Sequence, residues 1–204
     1  MQRLRSRLNP ARATWRGRCI LIFLAFSLLA AVAPHEMPVP VEVQVPLLVK
    51  VLGFERTLAM RTEPELVIAV AYQADYRSSR LAMEGVIETA RAAGALTVHG
   101  RPTRWEPLPV QDVAQFVADM VARHAAVVYF APLRAVSVRS LADAVTAEGV
   151  VSLTGVPEYV REGVSVGIGE RGGRPRILVH LLAARRAGAD FAAPLLQLAD
   201  VLTP

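Results

Sequence analysis

The chain of 204 residues has one cysteine, Cys19, one lysine, Lys50, and no acidic residue before Glu36. A lone cysteine excludes an internal disulfide. Beyond residue 19 it also excludes a cysteine nucleophile or a cysteine-ligated metal, so the folded part must be held together by its core. The four histidines, His35, His99, His124 and His180, show no metal-type spacing, and no metal site is expected. G-x-S-x-G, a Walker loop and H-E-x-x-H are all missing. Ser152 and Ser165 have no base nearby in sequence. No catalytic residue and no cofactor is assigned, and the chain reads as a non-enzyme.

The missing acids at the N-terminus frame what is present there. Arg3, Arg5, Arg7, Arg12, Arg16 and Arg18 precede a continuous apolar run, Cys19 to Ala33 (CILIFLAFSLLAAVA). A basic flank, a short greasy core and a small-residue end are the features of an export signal. The run is shorter than the ~20 residues of a comfortable membrane span. Residues 1–33 therefore read as a signal peptide or N-terminal anchor, and the protein as periplasmic. Ala31-Val32-Ala33 has the pattern of a cleavage site. Pro34 would then be the first mature residue, where a fixed φ and a missing N–H oppose the extended binding a peptidase needs. Two outcomes stay open: cleavage close by, or retention as an inner-membrane anchor with the arginines in the cytoplasm.

The leader also accounts for the basic balance. The whole chain carries a formal +5, yet all 18 acidic residues follow Ala33 together with only 17 of the 23 basic ones. The remainder is close to −1, which removes the electrostatic support for a nucleic-acid partner. Membrane contact is expected only through the leader.

Residues 34–46, with Pro38, Pro40 and Pro46, read as a proline-rich extended lead-in, and residues 47–204 as one domain. Leu47 to Leu58 has apolar residues at helical spacing and predicts an opening helix. Leu66 to Tyr72 (LVIAVAY) predicts a strand buried on both faces. Ser78-Ser79 offers an N-cap to a helix carrying Leu81, Val86, Ile87 and Ala90, closed by Gly94. Ala95 to His99 is a second short strand. RPTRWEPLP, residues 101–109, reads as a loop anchored by Trp105. Val110 to His124 is a helix with Val113, Phe116, Val117, Met120 and Val121 on one side. Ala126 to Phe130 and Val150 to Leu153 are strands flanking a helix from Ser137 to Glu148.

This alternation argues for a three-layer α/β fold, a mostly parallel sheet flanked by helices. Val164 to Ile168 and Arg176 to His180, joined by GERGGRP, predict a C-terminal β-hairpin. Terminal helices follow near Leu181 to Ala187 and Pro194 to Val201. Gly167-x-Gly169-x-x-Gly172 matches the letters of a dinucleotide fingerprint, but a strand rather than a helix follows it. The glycines read instead as a hairpin turn needing positive φ.

Ligands in open α/β sheets bind outside the carboxyl ends of the strands. That rule nominates Gln73, Asp75, Ser78 and Ser79 after the first strand, Pro132 after the third, and Thr154 and Gly155 after the fourth. Leu195, Leu196 and Leu198, with Leu181 and Leu182, are more leucine than two short helices need to pack. They are candidates for a homodimer or partner interface.

The C-terminal third resembles the YfiR family of exported bacterial proteins. The matching residues are Gly172-Gly173-Arg174-Pro175-Arg176-Ile177-Leu178-Val179-His180, then Ala183-Ala184-Arg185-Arg186-Ala187-Gly188 and Pro194-Leu195-Leu196-Gln197-Leu198-Ala199. The segment LTGVPEYVREGVSVGIG before them is similar to the family's strand, loop and glycine-rich strand, and the likeness spans roughly residues 46–202. The resemblance implies a periplasmic α/β regulator that dimerises and restrains a membrane signalling protein, a diguanylate cyclase, and so acts on cyclic di-GMP and biofilm formation. His180 stands where the family usually has Asn. The cysteines that form disulfides in the best-known members are absent, so redox control is not carried over. The alternative is a small-molecule binding protein feeding a transporter or a sensor kinase.

Overall fold

The computed structural model describes residues 37–60 and 63–202; the leader and its cleavage region lie outside the described residues. α1 (Val41–Leu52) and a 3-10 turn (Leu58–Met60) precede β1 (Leu66–Tyr72). The chain continues through α2 (Arg77–Ala92), β2 (Thr97–Val98), β3 (Arg101–Pro109), α3 (Val113–Ala122) and β4 (Val127–Phe130). Then come α4 (Val138–Ala147), β5 (Val151–Thr154), α5 (Pro157–Arg161), β6 (Val166–Arg171) and β7 (Arg174–His180). α6 (Leu181–Arg186), α7 (Ala193–Leu198) and β8 (Asp200–Leu202) complete it.

Among the described residues the strands form one sheet in the order β2-β3-β1-β4-β5-β6-β7-β8. The central strands from β3 to β6 are parallel, and β7 turns back antiparallel to β6. β8 runs parallel to β7, and β2 antiparallel to β3. The expected mostly parallel, three-layer α/β architecture with its C-terminal hairpin is present.

Alternation along β1 explains the two cores. Leu66, Ile68 and Val70 face one layer, with Leu48 and Leu52 of α1 and Ala82 and Val86 of α2. Val67, Ala69 and Ala71 face the other, with Phe116 and Met120 of α3 and Leu141 and Val145 of α4. A strand covered on both sides has no polar face to offer, which is why LVIAVAY is continuous.

Four local expectations are corrected. The opening helix starts at Val41 and ends at Leu52, so part of the supposed extended lead-in is helical and Pro46 lies inside the helix. An interior proline costs about 3 kcal/mol; here the buried Val45, Leu48, Val49, Val51 and Leu52 offset it. The prolines misled because only Pro40, at the N-cap, marks the boundary.

RPTRWEPLP is not a loop but β3, in parallel register with β1 from Leu66↔Thr103 to Tyr72↔Pro109. The Thr103 N–H points away from β1 to Leu96 O, while Val110 N–H points to Tyr72 O. Odd-numbered residues therefore turn their N–H groups to the outer edge. Pro107 and Pro109 fall there, where a missing donor disrupts no ladder. β2 and β3 are joined by His99-Gly100, both at positive φ (51° and 77°), the requirement of a tight I′ hairpin turn.

Gly167 and Gly169 sit in β6 rather than in a turn, and only Gly172, with Gly173, has positive φ. A Cβ on Gly167 would overlap Val160 Cγ2 of α5, so this glycine lets the short helix lie close on the sheet. Finally, residues 200 and 201, expected at the end of the last helix, pair with β7 together with Leu202 as β8. Asp200 holds that strand in place by accepting hydrogen bonds from Arg176 and lying 3.1 Å from Arg171. The Arg176 contact keeps its carboxyl below the ordinary aspartate range.

Candidate functional site

β1 lies between β3 and β4, so the chain leaves β1 to one side of the sheet and returns to the other. Where strand order reverses in this way, the loops at the carboxyl ends diverge and leave a crevice. A cleft of about 530 Å³ opens there. Its walls are Gln73 to Tyr76 after β1, Pro109 to Gln111 at the end of β3, and Arg134-Ala135 after β4.

The cleft is fixed by contacts among these loops. The Arg134 N–H donates to Gln73 Oε1, tying the β4 loop to the β1 loop. The Gln73 N–H donates to Ser79 Oγ at 2.9 Å, and the Arg80 guanidinium donates to Ala74 O. The Arg134 guanidinium stacks over the Tyr76 ring, Cζ lying 4.4 Å from the ring centroid. Ala135 next to it has φ +56°, a left-handed conformation that L side chains seldom adopt. From below, the Tyr159 hydroxyl accepts from Leu133 N–H at 2.8 Å and donates back to Leu133 O at 3.2 Å. Burial pushes this hydroxyl up to about 12, the Leu133 bond acting the other way.

Two of the strand-end residues named from sequence, Gln73 and Asp75, line the cleft. Ser78 is exposed on the first turn of α2 and Ser79 is buried. Neither caps that helix: Tyr76 is the N-cap, and no side chain bonds the free N–H groups there. Pro132 is buried in the loop after β4.

Thr154 and Gly155 are occupied by the protein itself. Thr154 Oγ1 donates to Phe130 O and accepts from Val156 N–H, both at 3.0 Å. The buried Gln44 of α1 covers Gly155, donates from Nε2 to Val39 O, and accepts from the Tyr129 hydroxyl at 3.0 Å. Burial drives the Tyr129 hydroxyl well above its ordinary range, with a backbone hydrogen bond at Gly155 acting the other way.

Tyr76, Arg134, Ala135 and the Pro109–Gln111 turn were missed. Reading β3 as a loop concealed its carboxyl end, and the strand order that brings β4 beside β1 is not written in any local pattern.

Of the candidate interface leucines, Leu195 is 1% exposed and belongs to the core with Phe191. Its packing, not a partner, accounts for it. Leu196 is partly buried against the same core, and Leu198 is 67% exposed. His180 caps α6, its Nδ1 accepting from Ala183 N–H at 3.1 Å. Glu55, fully buried, accepts from Leu58 N–H, Thr57 N–H, Thr57 Oγ1 and Asp190 N–H, and so fastens the end of α1 to the C-terminal segment. Among the described residues no group of His, Cys, Asp and Glu is placed to hold a metal. No described helix is long and apolar enough to cross a membrane.

The sequence profile of the YfiR/HmsC-like family matches residues 62–200. The chain belongs to this family. No curated protein sequence matches this YfiR/HmsC-like chain. Solved structures share its fold. An ABC domain in complex with L-Trp from Streptococcus pneumonia superposes with a TM-score of 0.57 at 14% identity, over 80% of this chain and 62% of that one. A conserved domain protein from Vibrio cholerae O1 biovar eltor gives 0.55 at 15% identity, over 80% of this chain and 60% of that one. This YfiR/HmsC-like chain thus spans about three fifths of the length of each, and at such identity the likeness is one of fold.

Proposed function

We propose that the chain is an exported regulatory module that works by binding, without catalytic turnover. In this reading it restrains a membrane-bound signalling partner, a diguanylate cyclase, from the periplasmic side and so holds down cyclic di-GMP and biofilm formation. Family membership over residues 62–200 carries the proposal. The arginine-rich, acid-free leader supports export, and the near-neutral remainder supports a protein partner over a polyanion. Self-association as a homodimer is part of the proposal.

Deleting the gene tests it: cyclic di-GMP is expected to rise and to fall again on complementation. Unchanged cyclic di-GMP in the deletion strain overturns the cyclase reading. An alkaline phosphatase fusion after residue 60 is expected to be active, and an inactive one overturns export.

A second reading, capture of a small molecule for a transporter or sensor kinase, draws on the cleft at the strand-order reversal and on the fold shared with the L-Trp complex. Ligand capture with no change in cyclic di-GMP on deletion is its expected signature.

A further inference from the structure

We infer that the cleft between the β1, β3 and β4 ends is a receptor site for a small organic carboxylate, with Arg134 as the group that grips it. The inference deepens the second reading and rests on it for the location of the site, but it does not depend on which partner the domain serves.

Three independent observations converge on Arg134. The first is its setting: it lines a cleft of about 530 Å³, within the range of small-molecule sites, at the place where open α/β sheets bind ligands. The second is its chemistry. The Arg134 guanidinium sits over the Tyr76 ring, Cζ 4.4 Å from its centroid, and a guanidinium offers a planar fork of N–H donors that suits a two-pronged grip on a carboxylate. No carboxylate among the described residues lies in ion-pair contact with it. The third is backbone conformation: Ala135, immediately after it, is held at φ +56°. Strain of this kind persists where surrounding structure enforces it, and it is concentrated at ligand sites.

The remaining walls set the class of ligand. Val110, Pro109 and the Tyr76 ring offer apolar surface for a small carbon skeleton, and Gln73 and Gln111 offer amides. Asp75 is the acidic residue on the cleft wall. Its charge opposes a second negative charge on the ligand, which favours a monoanionic carboxylate over a phosphate dianion.

The test uses the full chain as the producing cell processes it, with benzoate, benzamide and phenyl phosphate titrated by ligand-observed NMR. Benzoate is expected to bind more tightly than either benzamide, its uncharged analogue, or phenyl phosphate. Arg134→Met should weaken benzoate at least about tenfold, as loss of a charge-assisted pair does, while lowering the melting temperature only slightly, because the side chain is exposed and its contact with Tyr76 is the one stabilising interaction removed. Asp75→Asn should strengthen benzoate a few-fold at low salt. Equal binding of benzoate and benzamide, no benzoate binding, or an unaffected Arg134→Met variant overturns the site. Tighter binding of phenyl phosphate overturns the carboxylate assignment. None of these outcomes bears on the gene-deletion test, so the two readings fail separately.

Discussion

The side-chain amide of Gln44 fills the space that a Cβ on Gly155 would need, and its Oε1 takes the hydrogen bond of the Tyr129 hydroxyl at 3.0 Å. An end-of-strand position that in other α/β sheets admits a ligand is thus closed by the protein's own first helix. Gly155→Ala is expected to push Gln44 aside and leave two buried polar groups without partners, costing about 1–3 kcal/mol. Urea unfolding monitors it. An unchanged midpoint would mean that the amide has an equally good second position.

The centre of the sheet is less forgiving. Val70 is fully buried between β3 and β4 and packs in the core under α1 and α2. Val70→Asp would bury an unpaired charge at a cost of several kcal/mol, a large part of the ~5–15 kcal/mol stability of a domain. The variant is expected to be unfolded or to melt far below the parent by circular dichroism.

At Gly167 the constraint is space. Gly167→Val would drive a side chain into Val160 of α5, with an overpacking cost of roughly 1–3 kcal/mol. Gly172, in the turn, has nothing near a built Cβ but has φ +58°. Gly172→Ala should cost about 1 kcal/mol through backbone strain alone. Thermal melts of the two variants separate the two causes.

Two of the four tyrosines, Tyr129 and Tyr159, should ionise late. Their folded-state values lie above the unfolded value of about 10. The stability they contribute is therefore complete below pH ~10 and is lost as pH rises from there through the folded values, about 12 for Tyr159. Absorbance at the phenolate band should show a late phase, from Tyr129 and Tyr159, that coincides with unfolding. Tyr159→Phe should remove part of the late phase and loosen the Leu133–Arg134 loop.

The periodic elements were legible because their cause is local. β1 and β4 are unbroken apolar runs, and α4 begins at Ser137, whose hydroxyl accepts from Ser140 N–H at 3.2 Å. Where sequence reading failed, a distant contact outweighed a local signal. Proline persuaded against both α1 and β3, yet Pro46 is carried by a buried helix face and Pro107 and Pro109 point their missing donors outward. Val121, grouped with the apolar side of α3, is half exposed: Phe116 and Met120 are buried in the core and Val113 and Val117 pack against it, while Val121 lies outside that face. Only part of the candidate site was visible, for the same reason. Gln73 and Asp75 follow an unmistakable strand, whereas Arg134 and Gln111 join them only through sheet order.

Pro107 and Pro109 of β3 have a consequence for assembly. Beyond the two residues covered by β2, that margin of the sheet lacks donors at alternate positions, so a further strand cannot zip onto it. The opposite margin, β8, has no such block. The strand that completes this domain on the β3 side therefore denies its backbone to a second sheet along the stretch of Pro107 and Pro109.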